Sequence, residues 1–287
     1  MSEVEDGSVH LIVTSPPYPM IEMWDGIFRN LDDQIDRLWL QLEKEEDRNK
    51  REGIVGKIYD SMHENLAKVW SEVHRVLIDG GIACINIGDA TRNINGIFRL
   101  FPNHVRVVDW CERIGFVTLP YLLWRKPTTK PKYKGKGAFL GSGMLPPNAY
   151  VTLDCEYILI LRKGGLRQFA SKDPIRYSSK YTKEERDKWF TQIWDITGMK
   201  QHLSEVERRA AAFPEEIPKR LIRMFSVAGD TILDPFLGTG TSLKVAIALN
   251  RSMIGYEIDN RFGEMIQKEI TSAKARFPDM KFEVISR

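Results

Sequence analysis

Apolar residues along this chain follow two rhythms. Seven short runs are continuous: "SVHLIVT" (8–14), "GIACINIG" (81–88), "FVTLPYLLW" (116–124), "EYILIL" (156–161), "TILDPF" (231–236), "SMIGYEI" (252–258) and "KFEVIS" (281–286). A strand with one wet face alternates apolar and polar residues, so continuous runs predict strands covered on both faces. Between them, apolar positions recur every three or four residues. In "IYDSMHENLAKVWSEVHRVL" a helical stripe joins Met62, Leu66, Val69, Val73 and Val76, and Gly80-Gly81 is expected to stop it. "FPNHVRVVDWCERIG" and "NRFGEMIQKEITSAKARF" have the same spacing. Strands alternating with amphipathic helices predict an α/β fold with a doubly wound, mostly parallel sheet of about seven strands.

One stretch breaks both rhythms. "KPTTKPKYKGKGAFLGSGMLPPN" (126–148) holds four prolines, four glycines and five lysines. That is loop chemistry, and loops of this length tend to be functional or disordered. It divides the chain into residues 1–125, a basic and less regular stretch 126–200 that also carries a sheet strand, and residues 201–287. Charge sharpens the division. The net charge is +3, yet Tyr121 to Lys188 hold fifteen Lys/Arg against six Asp/Glu, so the remainder is net acidic. A basic segment on an acidic body suits a polyanion, with Lys130, Lys132, Lys134 and Lys136 as its contacts; a solvated lysine-rich loop is the plain alternative.

Composition excludes several classes. At 43% apolar and 28% charged residues the chain is globular. No apolar run approaches the roughly 18 residues of a membrane span. The opening "MSEVEDGSVH" carries no apolar leader, so a cytoplasmic protein without membrane contact is expected. Cys84, Cys111 and Cys155 lack C-x-x-C spacing, and neither a disulfide framework nor a metal site is expected.

Two motifs remain, and both carry chemistry. In "TILDPFLGTGTSLKVAIALNRSMIGYEID" a strand ends at Asp234, a turn passes through Gly238 and Gly240, a helix opens at Thr241 and a second strand ends at Glu257. This βαβ pattern binds adenosine-containing ligands at strand carboxyl ends. Glu257, seventeen residues after Gly240, is placed to accept hydrogen bonds from ribose hydroxyls. A dinucleotide fingerprint would need a third glycine where Leu243 stands, and a phosphate loop would need a lysine that "GTGTS" lacks. A ligand with a ribose and a positive charge but no phosphate suits Asp234 and Glu257 better. S-adenosyl-L-methionine fits that description; a tight turn with no ligand is the alternative.

The other motif, Ser15-Pro16-Pro17-Tyr18, follows the first apolar run. The exocyclic amine of a nucleobase is a poor nucleophile because its lone pair is delocalised into the ring. Two acceptors aimed at its two N–H bonds favour the pyramidal geometry that frees the lone pair, and stabilise the positive charge developing on nitrogen. The Ser15 hydroxyl can supply one acceptor and the Pro16 carbonyl the other. Proline fixes φ and carries no N–H, so the carbonyl is rigidly aimed and no donor competes. Tyr18 offers a ring on which a flipped base can stack. An ordinary proline-rich loop is the bland reading, and pairing with the glycine turn weighs against it.

"TSPPY" followed by "DPFLGTGTS" resembles the circularly permuted β group of amino-group DNA methyltransferases, in which the catalytic motif precedes the DNA-recognition region and the cofactor motif. "WSEVHRVLIDGGIACINIGD", "YLLWRKP" and "AAFPEEIPKRLIRMFS" resemble further family segments, so the likeness covers most of the chain. It implies a Rossmann-like methyltransferase sheet, S-adenosyl-L-methionine as cofactor and double-stranded DNA as partner. Ser15, Pro16, Pro17 and Tyr18 would handle the target base. Asp234, Phe236, Gly238, Gly240, Thr241 and Glu257 would hold the cofactor, with Phe213 and Pro214 closing its methionine end. Serine at the first motif position is most frequent in cytosine-N4 enzymes, so N4 transfer is expected, with adenine-N6 transfer the near alternative and a non-catalytic DNA-binding subunit a more distant one. The resemblance also implies a restriction system, often with a cognate endonuclease acting on the same site. Family members carry an acid after the third sheet strand that contacts the adenine ring, and the cut in circular order is expected to fall inside that motif. Asp89 is a substitute acid at a strand end, or a helix cap. Target sequence and oligomeric state are not written in these motifs.

Overall fold

The computed structural model describes residues 1–94, 97–127, 151, 153–198, 213–276 and 282–286. Lys130, Lys132, Lys134 and Lys136 lie outside the described residues. The seven expected strands are β1 (Val9–Thr14), β2 (Leu77–Ile87), β5 (Phe116–Arg125), β6 (Cys155–Lys163), β8 (Thr231–Asp234), β9 (Ser252–Glu257) and β10 (Phe282–Ser286). β7 (Ile193–Asp195) adds an eighth strand of three residues, too short for a hydrophobic run to announce. Together they form one sheet in the order β10-β9-β8-β1-β2-β6-β5-β7. β3 (Ala90–Ile94) and β4 (Ile97–Phe101) form a separate antiparallel pair whose sequence shows no apolar run.

Within the eight-stranded sheet the pairings are parallel except those of β6, which runs against both β2 and β5. Every strand but β6 therefore points its carboxyl end to one edge of the sheet, and β6 brings its first residues there. β1 and β8 lie side by side, with Leu11 opposite Ile232 and Ile12 opposite Leu233. From β1 the chain departs toward β2 through helices α1 (Asp25–Leu31), α2 (Asp33–Lys44) and α3 (Arg48–Val76). From β8 it departs the other way, to β9, through the helix Thr241–Ala248. Neighbouring strands whose connections diverge leave a crevice at their carboxyl ends, where open α/β sheets bind ligands.

The alternation of side chains across β1 divides the core into two layers. Ile12 packs with α3 residues Ile58, Met62, Leu66, Trp70, Val73 and Val76 on one face. Leu11 and Val13 pack with Ile217, Leu221 and Leu243 on the other. The helical stripe read from the sequence is thus a core face, and each of its fully buried large side chains contributes about 1.5–3 kcal/mol. Gly80 differs from expectation. α3 ends at Val76, and Gly80 already belongs to β2 with φ of 80°; a β-carbon there would lie 2.3 Å from the backbone nitrogen of Arg167. Close chain approach, and not helix arrest, requires glycine at this position.

The described part of the basic segment is likewise not one face. Lys126 follows β5 at the carboxyl edge, where its backbone N–H donates to the Asp154 carbonyl at 2.8 Å. β6 then carries the chain across the sheet. At the amino edge Lys163 Nζ donates to the carbonyls of Arg75 and Leu77, and the Arg167 guanidinium grips both oxygens of Asp230 at 2.6 and 2.9 Å. Arg176, Lys180, Lys183 and Arg186 line a groove on that side. Among the described residues the positive charge of this segment is therefore split between opposite edges.

Candidate active site

Thr14, the last residue of β1, donates its hydroxyl to Asp234 Oδ1 at 2.6 Å. Asp234 is the last residue of β8, so one hydrogen bond joins the two motifs, 220 residues apart in the chain. Ser242 Oγ donates to Asp234 Oδ2 at 2.6 Å, and the Phe236 N–H to Oδ1 at 3.0 Å. The Asp234 side chain is buried and faces inward: it braces the crevice floor. Burial pushes its carboxyl up to about 6, against the lowering pull of the hydrogen bonds from Ser242, Thr14 and Phe236.

Above that brace the glycine turn has a shape only glycine adopts readily. Gly238 and Gly240 have φ of 56° and 86°, in the left-handed region. Nothing lies within 4 Å of where a Gly238 β-carbon would sit, so the turn is open on that side. The Gly238 N–H donates to Glu257 Oε2 at 2.6 Å, and the Asp259 N–H to Oε1 at 2.7 Å. Burial raises this carboxyl from its ordinary value, against the lowering pull of these backbone N–H bonds. Gly240 caps the helix that opens at Thr241. Leu237 packs over Gly255, and the Phe236 ring meets Trp70 of α3 edge-on at 6.0 Å. Phe213 is buried in the same apolar layer as Leu237 and Leu243, and half-buried Pro214 accepts from the Ile217 N–H at the entry to the helix Glu216–Phe225.

The Ser15 turn is equally fixed. Pro16 is buried, while Ser15, Pro17 and Tyr18 are half-buried. Tyr18 Oη lies 3.0 Å from Ser15 Oγ, 2.9 Å from Glu156 Oε2 and 2.7 Å from Asn86 Nδ2. Asn86 Nδ2 also reaches Glu156 Oε2 at 2.8 Å, and Lys126 Nζ pairs with the other Glu156 oxygen. The Tyr18 ring lies against Gly88, where a β-carbon would come within 2.9 Å of Cε2. Behind the turn, Asn103 Nδ2 donates to the carbonyls of Pro19 and Gly88, each at 3.0 Å, clamping the turn to the end of β2. Asn103 Oδ1 accepts from His63 Nε2 at 3.1 Å; burial holds His63 down at about 4, so it stays neutral at physiological pH. Asp89 accepts the His104 backbone N–H at 3.2 Å and pairs with its ring, which makes it the anchor of α4 (Asn103–Ile114).

Asn86, Asn103, Lys126 and Glu156 were not among the sequence-derived candidates. Asn86 carried a signal, as the one amide in an otherwise apolar run. Glu156 carried none, because only the reversed direction of β6 brings it beside Tyr18. Among the described residues no group of three or more His, Cys, Asp or Glu could hold a metal ion, and no helix is long and apolar enough to cross a membrane.

The crevice thus offers a carboxylate and a glycine turn on one side and a rigid hydroxyl-bearing turn on the other. A DNA methylase family profile, covering N6 and N4 enzymes, matches residues 9–268. The chain belongs to this DNA methylase family. The methylase is 61% identical to the Type II methyltransferase M.MjaI of Methanocaldococcus jannaschii, over all of this chain and 93% of that one. It is 48% identical to the Type II methyltransferase M.MthZI of Methanothermobacter thermautotrophicus, over 94% of this chain and 73% of that one. Among solved structures, TTHA0409 of Thermus thermophilus, complexed with S-adenosyl-L-methionine, superposes with a TM-score of 0.71 at 29% identity, covering 99% and 93% of the two chains. The cytosine-N4-specific PvuII DNA methyltransferase superposes with a TM-score of 0.58 at 15% identity, covering 99% and 90%, a likeness of fold.

Proposed function

We propose that the methylase transfers a methyl group from S-adenosyl-L-methionine to the N4 amine of a cytosine flipped from a specific duplex sequence, within a restriction system. When bound, the cofactor supplies a methyl group made electrophilic by a sulfonium. The open glycine turn and the Glu257 carboxylate beside it suit the ribose of such a ligand. On this reading Phe236, Gly238, Gly240, Thr241 and Glu257 line its site, Phe213 and Pro214 close one end, and Asp234 holds the floor. Ser15 and the Pro16 carbonyl receive the amine's N–H bonds, Pro17 stiffens the turn, and the half-buried Tyr18 ring receives the base. The observation that supports the reading is the Thr14–Asp234 hydrogen bond, which sets the end of β1 and its Ser15 turn beside the end of β8 and its glycine turn. The catalytic strand comes first in the chain yet sits mid-sheet beside β8, which supports a circularly permuted motif order.

Incubation with duplex DNA and cofactor, digestion to nucleosides and mass analysis tests this directly. N4-methylcytosine is expected. N6-methyladenine would reassign the substrate, and unmodified DNA would reject the reading.

The loop begun at Lys126 leaves from the catalytic edge, where a duplex would lie. Replacing Lys130, Lys132, Lys134 and Lys136 together is expected to weaken DNA binding alike for specific and unrelated sequences. If all four meet phosphates, the slope of log affinity against log salt drops by roughly 3–4, since each phosphate contact contributes about 0.9. An unchanged slope would place the DNA backbone elsewhere.

A further inference from the structure

The cluster around Tyr18 holds a carboxylate for which the transfer just described has no stated use. We propose that Glu156 is a positioning residue: acting through Tyr18, it orients the Ser15 hydroxyl so that only lone pairs face the target amine, and it takes up the proton which that amine gives up. The inference rests on the amino-transfer reading above.

The direction of the hydrogen bonds follows from what each atom can do. Glu156 is paired with Lys126, so as a carboxylate it only accepts. Asn86 Nδ2 only donates, at 2.8 Å to Glu156 and 2.7 Å to Tyr18 Oη. A flipped Asn86 amide would set its carbonyl oxygen against the Glu156 carboxylate, so the amide orientation is forced. Tyr18 Oη, 2.9 Å from Glu156 Oε2, must then donate to it and accept from Asn86. Ser15 Oγ is 3.0 Å from Tyr18 Oη and has no other acceptor among the described residues, so its single proton goes to Tyr18. What remains on Ser15 Oγ is two lone pairs, and Asn86 Nδ2, 3.5 Å away, has its two protons on the nearer Glu156 and Tyr18 oxygens. A serine hydroxyl can donate or accept, and a donor facing the amine would hold its lone pair in place; the chain ending on Glu156 removes that choice.

The same chain provides an exit for charge. As the N–CH3 bond forms and the donor's S–CH3 bond breaks, the amine nitrogen carries one proton too many. That proton moves to Ser15 Oγ, the Ser15 proton to Tyr18 Oη, and the Tyr18 proton to Glu156 Oε2. The products are a neutral methylated amine, restored Ser15 and Tyr18 hydroxyls, and a Glu156 carboxylic acid beside Lys126, which is partly exposed and can return the proton to water. Burial, and after it the Glu156 charge, hold the Tyr18 phenol well above its ordinary value, so Tyr18 passes a proton on in one motion and does not stand as a phenolate.

The test uses Glu156→Gln, Tyr18→Phe and the double variant of the full chain. Single-turnover transfer to duplex DNA is expected to fall about 100-fold in each single variant, the scale of a lost proton-transfer group. The double variant should lose no more than either single, because the residues act as one chain. A second readout needs neither cofactor nor DNA: in 3-fluorotyrosine-labelled protein, the fluorine resonance that disappears in Tyr18→Phe should titrate at lower pH in Glu156→Gln. Glu156→Asp, which keeps the charge, should recover part of the rate. A Glu156→Gln rate within threefold of wild type, additive losses or an unmoved titration would overturn the proposal. Wild-type protein forming no N-methylated base would instead sink the underlying reading.

Discussion

Ser15→Ala is expected to lower single-turnover methyl transfer about 100-fold, the loss seen when one preorganised hydrogen-bonding group is removed from a reacting centre. Binding of S-adenosyl-L-methionine, followed by calorimetry without DNA, should stay nearly unchanged. The separation follows from the geometry. Ser15 bonds toward Tyr18 and Asn86, whereas the proposed cofactor side is built on Asp234, Ser242 and Glu257, none of which bonds to Ser15. Thr14, which joins the two halves, is untouched by the substitution. The prolines keep the Pro16 carbonyl aimed, so the variant loses one acceptor of two. Turnover near that of wild type would show that Ser15 is not the acceptor.

Asp234 should give the largest effect on stability. Asp234→Ala leaves the Thr14 and Ser242 hydroxyls and the Phe236 N–H without their acceptor in a buried place. A loss on the order of 3–5 kcal/mol is expected from such stranded donors, together with loss of cofactor binding. Urea midpoints and a cofactor titration measure the two. The carboxyl also carries a signature in pH. Its value in the folded protein, about 6, lies above the ordinary 3.8, so the folded state binds this proton more tightly than the unfolded state. Its contribution to stability is therefore full below about pH 4 and is lost as pH rises through about 6, on the order of 3 kcal/mol. Asp234→Asn cannot titrate. The stability of wild type relative to this variant should fall between pH 4 and pH 7, and a constant difference would show that the carboxyl is not buried as described.

The parts of this molecule that depend on local pattern were legible in its sequence. Continuous apolar runs marked seven strands, the stripe from Met62 to Val76 marked a core helix, and the two motifs lie at the ends of β1 and β8 where strand boundaries put them. What was not legible depends on direction and adjacency. β6 looks like any other strand in sequence, and nothing in "EYILIL" says that it runs backwards. Its reversal delivers Glu156 to the carboxyl edge of the sheet and residues 164–190 to the opposite one. Asn103 is similarly silent, since its clamp joins carbonyls from two loops that meet only in three dimensions. The partners of Asp234 were silent too: Thr14 and Ser242 surround its carboxyl only once β1 and β8 lie side by side.

The central position of β1 has a consequence for how the protein is made. One of its edges pairs with β2 within the first third of the chain, but the other must wait for β8, and Thr14 meets Asp234 across 220 residues. At roughly 5–20 residues per second of synthesis, that interval is on the order of 10–40 s. Throughout it a nascent β1 presents an open strand edge, and the Ser15 turn has no glycine turn beside it. A ribosome that stalls before β8 releases a chain with an unsatisfied edge on β1 and without the Asp234 side of the crevice.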